Sequence, residues 1–146
     1  MLLLDVYPML GPIMAQALIF FVLALLAVQA RAGALSSGAV KARDVALETT
    51  AYPEKARKIA GAFNNQFETP VYFFAAAILS LMLQLQDIWM VGAAWLYIVS
   101  RVLHAVVFMT VNRVRPRFFM FFLGYVALAI MWIRIAVQVI TSGPPI

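Results

Sequence analysis

Four apolar runs, each long enough to cross a lipid bilayer, constrain this chain more than any other feature of its sequence. A transmembrane helix needs about 20 mostly apolar residues. The first run covers about residues 9–29 and includes LIFFVLALLAV, and the second covers about 68–85 and includes PVYFFAAAILSLMLQL. The third and fourth cover about 88–111 and 118–140. Of the residues, 65% are hydrophobic and 12% charged, against roughly 25% charged in a soluble domain. A core of 16.2 kDa cannot hide that apolar surplus, so lipid must cover much of it. The expected fold class is an all-α membrane protein: one four-helix transmembrane domain over residues 1–146. The opening residues carry Asp5 where a secretory signal needs positive charge, so the first run is read as a retained span.

Charge sets the expected orientation. The link between the first two spans holds Arg31, Lys41, Arg43, Lys55, Arg57 and Lys58, and the link between the last two holds Arg113, Arg115 and Arg117. In a four-span chain these links share one side, so nine of the eleven basic residues lie there. The positive-inside rule makes that side cytoplasmic and puts both chain ends on the other. Short loops point to a bacterial inner membrane. Residues 30–52, with Gly33, Ser36, Ser37 and Gly38, read as the one long loop. Pro53 and Glu54 suit a helix start. An extension over 53–67 is expected to run unbroken into the second span, about 50 Å in all by Leu85. Pro70 is expected to kink that helix and free the Gln66 carbonyl. Beyond Ser142 the Gly143-Pro144-Pro145 tail should fray.

Several chemistries are excluded. With no cysteine there is no disulfide, thiolate metal site or protein thiol nucleophile, and the single histidine, His104, cannot form a histidine metal cluster. The formal charge of +5 flanks apolar spans instead of striping a soluble fold. Anionic lipid or an anionic small molecule is therefore the expected partner, and nucleic acid is not.

Ionisable residues within the apolar spans are costly and mark functional candidates. Asn65, Glu68 and Tyr72 are spaced to share a face of one helix, and Arg101, His104 and Phe108 repeat that spacing on the third, with Tyr97 a turn earlier. Glu68 lies about 15 Å of helix beyond Lys58, and His104 about 13.5 Å before Arg113. The stripes thus reach similar depth, and a Glu68–Arg101 pair would make both charges tolerable. A structural polar zipper among Asn65, Glu68 and Arg101 is the competing interpretation. Arg134, near the far interface, reads as a lipid-facing anchor. The three arginines around Pro116 follow from topology, and they would also recruit an anion to a cleft mouth.

The run Asn65-Gln66-Phe67-Glu68-Thr69-Pro70 resembles the N-x-x-E signature of the MAPEG family, membrane-associated proteins in eicosanoid and glutathione metabolism. Arg101-Val102-Leu103-His104 and the basic segment with Pro116 resemble that family's third-helix R-x-x-H stretch and following link. The resemblance implies a homotrimer with glutathione between neighbouring subunits and a lipophilic small molecule as second substrate. It places Asn65, Glu68, Tyr72, Arg101, His104 and Arg113 around glutathione, with Arg117 or Arg115 stabilising its thiolate. A cation suits that role, because a thiol of pKa about 8.5 must ionise to attack. The chain departs from the pattern at Gly61, where many members have arginine, and at Phe108, where many have tyrosine. Losing such a contact to a buried carboxylate costs about 1.5–3 kcal/mol, or tenfold to a hundredfold in affinity.

Three functions follow for test. One is a glutathione-dependent transferase or peroxidase acting on lipophilic electrophiles. The second is a non-catalytic lipid-binding or scaffold protein of the same fold. The third, a transporter coupled through Glu68, is disfavoured by the lack of an inverted repeat.

Overall fold

The computed structural model describes residues 3–46 and 48–142, so Gly143 to Pro145 of the expected tail lie outside the described residues. All regular structure among the described residues is helical: α1 (Leu3–Val6), α2 (Leu10–Ser36), α3 (Glu54–Asn64), α4 (Thr69–Met82), α5 (Ile88–Met109) and α6 (Val114–Thr141). Single 3₁₀ turns occur at Ala42–Asp44 and Asn65–Phe67. Among the described residues, three helices, α2, α5 and α6, are long and apolar enough to cross a membrane.

The stretch expected as one long helix from Pro53 to Leu85 is two helices. α3 ends at Asn64, a 3₁₀ turn follows, and Glu68 adopts φ −96°, ψ −105° before α4 starts at Thr69. Pro70 therefore sits in the first turn of a new helix and does not kink an old one. The physical reason is that a first-turn residue needs no amide hydrogen, so proline costs nothing there.

Small residues bring the apolar helices together. Ala76, Ala77, Ala94 and Ala127 are fully buried with Phe73, Met90, Tyr97 and Met131. Alanine and glycine let membrane helices approach closely where no water is available to drive association. Gly124 of α6 shows the limit: a Cβ there would lie 2.7 Å from Ser100 Oγ of α5. The Phe73 and Tyr97 rings stack at 4.7 Å between α4 and α5, and Tyr97 donates to Thr69 Oγ1 at 3.0 Å. Gln16 of α2 donates to Gln66 Oε1 at 2.8 Å, joining α2 to the 65–67 turn.

At the end opposite the basic loops, Asp87 caps α5 by accepting the amide hydrogens of Trp89 and Met90, each at 3.0 Å. Arg134 forms an ion pair with the same carboxylate. The expected lipid-facing role of Arg134 is thus replaced by a tie between α5 and α6, because Asp87 lies within reach of its stem. Desolvation works against ionising Asp87, but the Met90 amide, the Arg134 charge and the Trp89 amide outweigh it and hold the carboxyl below its ordinary range.

Candidate functional site

The break between α3 and α4 delivers the site. Where the helix stops, backbone carbonyls lose their intrahelical donors. One of them, Asn65 O, accepts from Arg101 Nη2 at 3.2 Å. Arg101 is 1% exposed, and its guanidinium lies over the Phe121 ring at 5.8 Å. Arg101 thus pins the turn to α5, and its Nε has no hydrogen-bond partner among the described residues.

One α-helical turn on, His104 lies beside Asn65. Asn65 Nδ2 and His104 Nε2 are 3.1 Å apart, and His104 Nδ1 is 3.1 Å from the Arg117 carbonyl. A carbonyl only accepts, so Nδ1 carries the proton and Nε2 accepts from the Asn65 amide. His104 is a neutral strut joining the 65–67 turn, α5 and α6. Both ring nitrogens are occupied, which leaves it no free position for proton transfer. The Asn65 Oδ1 remains without a partner among the described residues.

Arg117 completes the arrangement. Its Nη1 donates to Asn112 Oδ1 at 2.7 Å, and its guanidinium stands 4.6 Å over the Phe108 ring. No acidic side chain pairs with it among the described residues. Asn65, His104, Phe108, Arg117, Phe118 and Phe121 line a cavity of about 250 Å³. Arg115 and Arg113 are exposed and do not line it. Helix geometry explains the difference: residues two apart on α6 point to opposite sides, and Arg113 is the extended N-cap.

Two expected partners lie elsewhere. Glu68 is exposed and forms no ion pair among the described residues, although it acts electrostatically on Arg101. Tyr72 is 62% exposed and lines a separate groove of about 330 Å³ with Thr69, Tyr125, Leu128, Ala129 and Trp132. The expected single stripe of Asn65, Glu68 and Tyr72 assumed one continuous helix, and the break rotates α4 relative to α3.

A model of the MAPEG family matches residues 9–137, which is most of the chain. The chain belongs to the MAPEG family. Neither curated proteins nor solved structures yield a match. This MAPEG chain is a multi-pass membrane protein, all-helical over its described residues.

In this MAPEG protein the sequence reading missed Asn112. It adopts φ +46°, in the left-handed region that asparagine tolerates better than most residues, and it aims Arg117. An asparagine just past a helix end, five residues before an arginine, was the available signal. The two departures from the family pattern also prove to be one feature. A Cβ at Gly61 would lie 2.7 Å from Phe108 Cζ, so the ring fills the space that Gly61 leaves.

Proposed function

We propose that this protein is a glutathione-dependent transferase or peroxidase acting on lipophilic electrophiles that arrive through the bilayer. The observation that carries the reading is Arg117, which lines a cavity with Asn65 and whose guanidinium has no acidic partner among the described residues. The residues present suit glutathione. Arg117 offers positive charge for a thiolate, Asn65 Oδ1 offers an acceptor for a peptide amide, and exposed Glu68 offers a carboxylate for an ammonium group. When bound, glutathione supplies the thiol that becomes the nucleophile. The protein's own part is positioning: Arg101 fixes the 65–67 turn, His104 fixes Asn65 against Arg117, and Asn112 fixes the guanidinium. Once a neighbouring copy covers the open side, the Phe118 and Phe121 rings would form an apolar wall that limits water and strengthens the attraction between guanidinium and thiolate.

In this proposal α4 makes the fourth crossing. Its 14 residues span only about 21 Å, so the flanking turns must complete the passage through about 30 Å of hydrocarbon. The basic links face the cytoplasm, both chain ends lie outside, and three copies assemble so that a neighbour covers the open side of the cavity. Tyr72 and Glu68 then face that neighbour or the shared ligand.

Glutathione titrated into detergent-solubilised protein tests the proposal. Binding is expected, together with a thiolate ultraviolet absorbance that disappears in Arg117→Ala. Undetectable binding at millimolar glutathione would overturn it. One observation favours a second reading, a non-catalytic lipid-binding protein: the groove of Thr69, Tyr72, Tyr125, Leu128, Ala129 and Trp132 is mostly apolar and suits an acyl chain. Co-purified lipid with no thiol binding would select that reading.

A further inference from the structure

Phe108 stands between two cavities. On one side is the lobe of Asn65, His104 and Arg117, about 250 Å³; on the other is a vestibule of about 390 Å³ lined by Glu54, Arg57, Lys58, Phe108 and Asn112. Small-molecule pockets are roughly 300–1,000 Å³. The inner lobe alone falls below that range, and the two lobes joined fall within it. Phe108 is the residue they share apart from the neighbouring Asn112–Arg117 hydrogen bond. The ring is held by three neighbours. Its edge meets the bare Cα of Gly61, its face carries the Arg117 guanidinium at 4.6 Å, and the His104 ring lies 6.1 Å away. Beyond it, Arg57 is exposed without an ion-pair partner among the described residues, while Lys58 bonds Glu54 at 2.6 Å and the Thr110 carbonyl at 3.3 Å.

We propose that Phe108, seated on Gly61, is a partition that selects ligands by length. At rest it favours short thiols or anions in the Asn65–Arg117 lobe, and glutathione binds wild type only by displacing it, at a cost in affinity. Swung aside, it opens one groove for an elongated peptide thiol whose far carboxylate meets Arg57. This rests on the thiol-ligand reading above and adds a specificity-determining pair to it. Gly61 is the permissive half: any side chain there drives the ring off its seat and away from its contact with Arg117. The ring tip is the atom that would be struck, and it moves by a side-chain rotation without backbone change.

The test uses the full-length protein in detergent as wild type, Gly61→Ala, Phe108→Ala and the double variant, with Phe108→Leu as a second truncation should alanine prevent folding. Melting temperatures report the seat without any ligand. Alanine favours a helix over glycine, so Gly61→Ala is expected to raise the melting temperature once Phe108 is truncated. It is expected to lower it, or raise it less by about 3 °C or more, while the ring is present. Affinities for cysteine and glutathione report the partition, and truncating Phe108 is expected to raise glutathione affinity relative to cysteine about tenfold. Equal Gly61→Ala shifts in both backgrounds overturn the seat, and an unchanged affinity ratio overturns the partition. If no variant binds either thiol, the glutathione reading fails by itself, and suberate, a long dicarboxylate, decides the partition. Tighter suberate binding on truncating Phe108 supports it, and unchanged binding overturns it.

Discussion

His104→Phe separates the polar work of His104 from its volume. The substitution keeps an aromatic ring between Phe108 and Phe121, whose centroids lie 6.1 Å and 5.6 Å from that of His104. It removes both hydrogen bonds, to Asn65 Nδ2 and to the Arg117 carbonyl. His104 is 5% exposed, so water cannot take over at the ring. Each bond contributes about 1 kcal/mol net, which makes the expected loss about 2 kcal/mol. For a chain of this size that corresponds to a melting-temperature fall of about 4–8 °C. Asn65→Ala removes one of the two bonds and should cost about 1 kcal/mol. In the Asn65→Ala background, His104→Phe should then cost only about 1 kcal/mol more, which leaves a coupling of about 1 kcal/mol. The assay is thermal unfolding followed by circular dichroism, all four proteins in one detergent. His104→Phe within about 0.5 kcal/mol of wild type, or strictly additive single costs, would refute the strut.

Arg117→Ala is expected to abolish the thiolate absorbance of added glutathione, while Arg115→Ala preserves it, because only Arg117 lines the cavity; ultraviolet difference spectra check this. Asp87→Ala should lower stability by about 1 kcal/mol through loss of the α5 cap, read from the melting temperature. The Asp87 carboxyl titrates below its ordinary value of 3.8 when folded, so its contribution is complete above that pH and is lost as pH falls through the lower folded value. Wild-type and Asp87→Asn melting curves should therefore approach each other only under strong acid, and convergence near neutral pH would contradict the assignment. Tyr97→Phe should cost about 1 kcal/mol by leaving Thr69 Oγ1 without its buried donor.

The membrane helices were legible because hydrocarbon imposes a length on any crossing element, and α2, α5 and α6 are each long and apolar enough on average to meet it, with few charged residues in the span. The break at 65–68 was not legible, since Pro70 is equally compatible with a kink inside a helix and with the first turn of a new one. What decides between them is tertiary: Arg101 of α5 and Gln16 of α2 supply hydrogen-bond partners to the 65–67 turn, and neither is visible in the local sequence. Arg134 shows the same limit. Its distance along α6 placed it near an interface, but its pairing with Asp87 depends on how α5 lies against α6.

Within the site, the spacing of Arg101 and His104 put both on one face of α5, and both meet Asn65 from that face. The division of labour between them needed coordinates. A buried arginine is ordinarily expected to seek a carboxylate, but Arg101 spends its hydrogen bond on the backbone of Asn65 and leaves Glu68 exposed. A backbone carbonyl at a helix break is already desolvated and lacks its usual donor, so meeting it costs the guanidinium no second buried charge. The consequence is a separation of charges. Arg101 is committed to holding the turn, Arg117 lines the cavity and is held by Asn112, and Glu68 is left at the surface. One cationic side chain, Arg117, and one anionic side chain, Glu68, thus remain without an ion-pair partner among the described residues. A direct Glu68–Arg101 pair would have neutralised Glu68.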